Sequence, residues 1–315
     1  MPGLRQHVNR IMESDPSLHT KSMEVQLRTL IVDAFQNLSP LPQHSYLVIV
    51  DGLDECHDKA AQQSILRLLC ESTTVHKLPL RFLIGSRPES HIRACFDQES
   101  LYTITHRVVL DDTFNPGRDI WVFLQDGFAK ICAEKSIPSH LKQPWPGEGV
   151  IDLLVQRSSG QFIYAATILK FVATDFCSPT KQLALVLKPD PTAFSDLDHL
   201  YTQILSVYPT TVNIVQVLGT IIACENSKLP QVIEDILEME EGELRLVLRG
   251  LSSLMDGDRD FLGLGLIPPF THASFLDYLF NSSRSGPFHV NQQKYENQVT
   301  LRSFALILQS IRSWR

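Results

Sequence analysis

Asp51, Asp54 and Glu55 stand within five residues of one another, directly after the apolar run Tyr46-Leu47-Val48-Ile49-Val50. Carboxylates in that position can hold Mg²⁺ through its waters and polarise a nucleophilic water beside a phosphate. Arg87 follows a second apolar run, Leu80-Arg81-Phe82-Leu83-Ile84, in the turn Gly85-Ser86-Arg87-Pro88-Glu89. Phosphoryl transfer needs a metal-binding acid, a residue that places the water and a cation for the developing charge. Asp51 suits the first role, Asp54 or Glu55 the second and Arg87 the third. Two plainer readings stay open at this level. The carboxylates can be the solvated turn after a buried strand, and Arg87 can be one half of an ion pair bridging neighbouring strand ends.

The elements that must position these groups follow from periodicity. The run 46–50 has no period-2 alternation, which reads as a strand buried on both faces in a parallel sheet. A helix is expected from Lys59 to Glu71, with Ile65, Leu66, Leu68 and Leu69 inward. Strand, helix and strand with a long crossover make a βαβ unit, so 46–50 and 80–84 should run parallel. Ligands of open α/β sheets bind at the carboxyl ends of strands, where all four groups would then lie. Residues 1–40 read as helix, polar break at Ser14-Asp15-Pro16-Ser17, then helix. A short helix near 89–96 and a strand near 103–110 complete the layer.

From Asn115 the pattern turns helical. One helix opens at Asn115-Pro116, and Pro138 to Gly149 is a proline-rich loop. Further helices are expected near 150–158, 161–173, 181–187, 197–206 and 210–223. Helices from Pro230 to Met239 and from Glu243 to Met255, joined by Glu240-Glu241-Gly242, read as a helix-turn-helix. The extended piece 261–267 would be a wing, and a helix over 273–279 follows. The fold class is therefore α/β, a partial parallel sheet, followed by mostly α-helical domains including a winged helix. Domain limits fall at 1–112, 113–195, 196–290 and 291–315, the last a further helical segment.

Composition narrows the function classes. The chain has 315 residues, a net charge of −7 and the apolar content of an ordinary globular protein. It carries no basic footprint for nucleic acid or an anionic membrane. Residues 225–260 hold ten acidic side chains against four basic ones, so the helix-turn-helix gains little from phosphate contacts and DNA is not the expected partner. No apolar run reaches the ~18–20 residues of a bilayer span, and the N-terminus has no signal-peptide core, so a cytoplasmic location is expected. The six cysteines form no CxxC pair and the eleven histidines no HExxH motif, which argues for reduced thiols and against zinc.

Taken in order, Tyr46–Glu55, Leu83–Glu89, Gly160-Gln161-Phe162-Ile163-Tyr164-Ala165-Ala166 and Phe270-Thr271-His272-Ala273-Ser274-Phe275-Leu276-Asp277-Tyr278-Leu279 resemble the NACHT family of signal-transduction ATPases, particularly fungal NACHT proteins. The first motif is similar to Walker B, and Arg87 resembles the sensor-1 arginine. The resemblance implies a P-loop NTPase sheet, a helical domain and a winged helix, with ATP or ADP and Mg²⁺ as cofactors. It implies that Asp51 holds Mg²⁺, that Asp54 and Glu55 position the hydrolytic water and that Arg87 reads the γ-phosphate. His272 would contact the β-phosphate of ADP. Without the resemblance, a histidine before an apolar helix reads as a cap or a core residue. Partners would be other NACHT subunits or flanking effector and sensor domains, with homo-oligomers possible.

One departure stands out. A P-loop needs a Gly-rich backbone ending in Gly-Lys-Ser/Thr, and no Gly-Lys dipeptide occurs in this sequence. In the family that loop precedes the region similar to residues 1–40, so an N-terminally truncated module is expected, in which ATP hydrolysis by this chain alone is not. The competing expectation is a non-enzymatic pseudo-ATPase scaffold that acts through protein contacts. A missing strand beside 46–50 would also expose a sheet edge and lower solubility.

Overall fold

The computed structural model describes residues 2–37, 44–56, 58–110, 112–135, 144–174, 177–188, 195–207, 213–224, 229–255 and 266–313. The chain forms two compact units, Met1–Val109 and Leu110–Arg315. It is mostly helical, and its sheet has two strands.

The first unit opens with the helix Pro2–Ser14, a break containing the short turn Pro16–Thr20, and a helical stretch that runs from Met23–Leu27 through the π-turn Arg28–Val32 to Asp33–Gln36. β1, Tyr46–Val50, then pairs in parallel with β2, Leu80–Ile84, in the register Tyr46↔Leu80 to Val50↔Ile84. The helix Lys59–Thr74 makes the crossover. Asp58 starts it by accepting a hydrogen bond from the Ala61 N–H at 2.6 Å, which satisfies one of the free donors of the first turn. Helices Ser90–Phe96 and Glu99–Tyr102 follow.

Side chains on one face of this sheet enter two small cores. Leu80 and Phe82 pack with Val32, Phe35 and Leu78, while Ile84 packs with Leu53, Leu66, Cys70, Ile92 and Cys95. The other face is uncovered, with Leu47 61% exposed, Ile49 66% and Leu83 57%. The expectation of a strand buried on both faces is therefore corrected. A run without alternation shows that both faces are apolar; it does not supply the element that covers them. The strand expected at 103–110 is also absent. Residues 105–110 carry no regular structure, and Val108, Val109 and Leu110 are exposed. Their β-branched side chains favour a strand, but a strand forms only against a hydrogen-bonding neighbour.

In the second unit, helices Pro116–Glu134, Glu148–Ser158, Phe162–Val172, Pro179–Val186, Asp196–Ser206, Ile214–Ala223, Pro230–Leu237, Glu243–Gly250, Ala273–Phe280 and Gln292–Ser313 bury one continuous hydrophobic cluster from Ile120 to Tyr295. Glycine lets helices cross closely at two points. A methyl on Gly127 would lie 2.2 Å from Leu169 Cδ1, and one on Gly219 would lie 2.4 Å from the Tyr295 ring. The helix expected over 243–255 stops at Gly250 and continues as the turn Ser252–Leu254. The helix pair at 230–250 is held by Glu234, 3% exposed, whose Oε1 accepts from the N–H groups of Gly242 at 2.9 Å and Leu244 at 3.1 Å. Met255 and Phe270 form an antiparallel bridge, but most of the expected wing, 261–265, lies outside the described residues. Among the described residues, no helix is long and apolar enough to cross a membrane.

Candidate functional site

The parallel pairing of β1 and β2 carries Asp51, Asp54, Glu55 and Arg87 to one edge of the sheet. Backbone bonds extend the pairing beyond the strands, with Gly85 N–H donating to Val50 O at 2.8 Å and Leu53 N–H to Gly85 O at 3.2 Å. Gly52 turns the chain in the left-handed region, φ 69°, and Leu53 drops into the core, 1% exposed. Leu53 thereby anchors a turn whose acidic neighbours point elsewhere.

Those neighbours do different things. Asp54 is engaged: its Oδ1 accepts from the Arg87 N–H at 2.9 Å and from Ser86 Oγ at 3.2 Å, and Arg87 Nε lies 3.5 Å from Oδ2. It thus ties the turn after β1 to the turn after β2, and the bridging ion pair is the arrangement observed for Arg87 and Asp54. Asp51 and Glu55 are exposed, and neither has a hydrogen-bond or ion-pair partner among the described residues. Asp51 Oδ1 lies against Gly85 so closely that a Cβ there would approach it to 2.7 Å. Gly85 is therefore what allows this carboxylate its place.

Two residues that the sequence reading missed support the turn from below. Gln62, 5% exposed, donates from Nε2 to the carbonyls of Asp54 at 3.0 Å and Cys56 at 2.9 Å. Its Oε1 must then accept, and the group facing it is His91 Nε2, so that nitrogen carries the hydrogen. His91 Nδ1 is buried and has no partner among the described residues. The available signal was Gln62 standing four and eight residues before Leu66 and Cys70, a polar group on an apolar helical face.

His272 lies in the second unit and caps the helix Ala273–Phe280. Its Nδ1 accepts from the Ser274 N–H at 3.1 Å and contacts Ser274 Oγ at 2.7 Å, which in turn meets Tyr201 OH at 2.8 Å. The capping reading is therefore the one the geometry displays, and it leaves Nε2 as the ring's remaining nitrogen.

Among the described residues, no three His, Cys, Asp or Glu side chains converge as a metal cage. Mg²⁺ seldom uses one, since it keeps several waters and takes one or two carboxylates plus substrate phosphates. The open carboxylate of Asp51 fits that donor set. The first unit is thus a βαβ edge of the kind that α/β ligand-binding domains use, with one acidic group consumed by structure and two available. The family described as Nephrocystin 3, N-terminal matches residues 1–87, a span from the first helix through both strands to Arg87. Its model is not that of the NACHT domain. No curated protein and no solved structure matches the chain.

Proposed function

We propose that the chain is a module of a NACHT-type, nucleotide-dependent signalling switch, and that its first unit supplies the metal-side half of a phosphate site. The observation that carries this reading is the convergence of Asp51, Glu55 and Arg87 at the carboxyl edge of a parallel pair, with Asp51 and Glu55 unengaged. Asp51 would hold Mg²⁺ through water, which offsets charge on bound phosphates. Glu55 is then the group free to orient a water, while Asp54 fixes the turn and presents Arg87. His272 has its Nδ1 committed to the helix cap, and its nucleotide role rests on the family resemblance alone. Without a Gly-Lys-Ser/Thr loop in the sequence, ATP is bound weakly and hydrolysed slowly if at all. In an intact switch the nucleotide would select between closed and assembling states.

Calorimetric titration of ATP into the chain, with and without Mg²⁺, tests this. We expect Mg²⁺-dependent binding weaker than about 100 μM that Asp51→Ala removes. Binding indifferent to Mg²⁺ or to Asp51→Ala overturns the assignment. A second reading, a scaffold without nucleotide, is favoured by the bond between Asp54 and Arg87, which needs no ligand to explain it. No binding at millimolar ATP would select that reading.

A further inference from the structure

Glu55 is exposed and has no hydrogen-bond or ion-pair partner among the described residues, so its direction is set by its backbone. The carbonyls on either side of it, those of Asp54 and Cys56, are the two that the Gln62 amide nitrogen holds, at 3.0 and 2.9 Å. Both hydrogens of that nitrogen are thereby used. The amide cannot stand the other way round, because its oxygen would then face two carbonyl oxygens. Its oxygen faces His91 Nε2 instead, and only an Nε2 that carries hydrogen can meet it. The other ring nitrogen, Nδ1, is buried without a partner among the described residues, a place where a hydrogen would go unsatisfied. One polarity thus runs from His91 through Gln62 to the peptide units around Glu55.

We propose that His91 is a positioning residue for Glu55: it aligns the Gln62 amide, and that amide fixes the backbone that aims the carboxylate. Gln62 shares a buried helix face with Leu66 and Cys70, where an apolar side chain would pack without any polar group to satisfy. The amide supplies direction that an apolar group cannot. His91 lies in the first turn of the helix Ser90–Phe96, shortly after Arg87, so the segment that carries the arginine also holds the backbone of the facing carboxylate. The bonds from Ser86 Oγ and the Arg87 N–H to Asp54 tie the same two turns a second time. The turn after β1 and the turn after β2 therefore move together, and a displacement at Arg87 reaches Glu55 by two routes. That Glu55 orients a water rests on the proposed function; that His91 holds its backbone in place does not.

Amide hydrogen exchange on the full chain without nucleotide tests the proposal. It is read at the Glu55 N–H, bonded to Gly52 O at 2.9 Å, and at the Cys56 N–H, bonded to Leu53 O at 3.3 Å. His91→Ala removes the donor to Gln62. His91→Gln restores a nitrogen donor at the position of Nε2, whereas His91→Asn places its nitrogen one bond short, at the position of Nδ1. We expect exchange at both amides to rise about tenfold in the alanine and asparagine variants and to return to within about twofold of the parent in the glutamine variant. Gln62→Glu, which turns oxygen toward both carbonyls, should raise exchange with His91 intact. Exchange unchanged in His91→Ala or in Gln62→Glu overturns the proposal, as does equal recovery by asparagine and glutamine. The glutamine and asparagine variants decide the matter even where alanine loosens the whole first unit. A parent that binds no ATP in the calorimetric titration ends the nucleotide reading, and the exchange pattern still decides the role of His91.

Discussion

The two units of this chain solve the same problem unequally. In the second, the helices share one hydrophobic cluster and a buried acid is matched by a cation, although Gln182 Oε1, Gln203 Oε1, Thr220 Oγ1 and Ser253 Oγ are buried without a partner among the described residues. Asp198, 1% exposed, receives both arms of Arg284, Nε to Oδ2 at 3.0 Å and a terminal nitrogen to Oδ1 at 2.7 Å. In the first, the apolar residues divide between two small cores, one sheet face is bare, and the turn that carries the candidate site depends on a few hydrogen bonds. A continuous core tolerates the loss of a surface contact. A divided one transmits it, so the first unit should unfold before the second in a thermal scan.

The largest expected effect separates the units from the strong side. Arg284→Ala strands the Asp198 carboxylate in the core and should cost about 3–5 kcal/mol. The later of two calorimetric transitions should fall and the earlier one stay. A fall in the earlier transition alone would reverse the assignment of stabilities.

The second effect is set by pH. Burial pushes the hydroxyls of Tyr164, Tyr201 and Tyr278 up to about 12, above the ordinary value near 10. The folded pKa is raised, so the stabilisation is complete below pH 10 and is lost as pH rises from there through 12. At pH 11 each tyrosine should withdraw about 1.4 kcal/mol from the second unit. Unfolding temperatures followed from pH 8 to pH 11, with tyrosinate absorbance recorded alongside, check this. All three groups belong to the second unit, so the gap between the two transitions should narrow.

The smallest effects lie within the acidic turn and divide its carboxylates. Asp54→Ala removes the acceptor for the Arg87 N–H and Ser86 Oγ and should cost about 1–3 kcal/mol in the first transition. Asp51→Ala should move that transition by less than about 0.5 kcal/mol, since nothing described holds this side chain. Equal losses from the two variants would contradict the division between an engaged and an open carboxylate.

Much of the fold was legible because its signals are local. The break at 14–17, Pro116 at a helix start and the 3.6-residue periods each act within a few residues, and the helices they predict are present. The parallel pairing of β1 with β2 also followed, because a strand–helix–strand crossover leaves little topological choice. The strand at 103–110 did not form, since β propensity is realised only on a paired edge. The break at Gly250 was missed because the apolar pattern runs on to Met255 through the turn that follows.

The sequence alone determined that three carboxylates and an arginine end neighbouring strands. Only the tertiary structure decided that Asp54 serves the fold while Asp51 and Glu55 stay open, because one left-handed glycine aims them and the Arg87 turn captures just one. It likewise decided that Tyr295 faces inward and Phe304 outward on the same helix. Types and spacing fix which groups can meet, and the neighbouring elements fix which of them do.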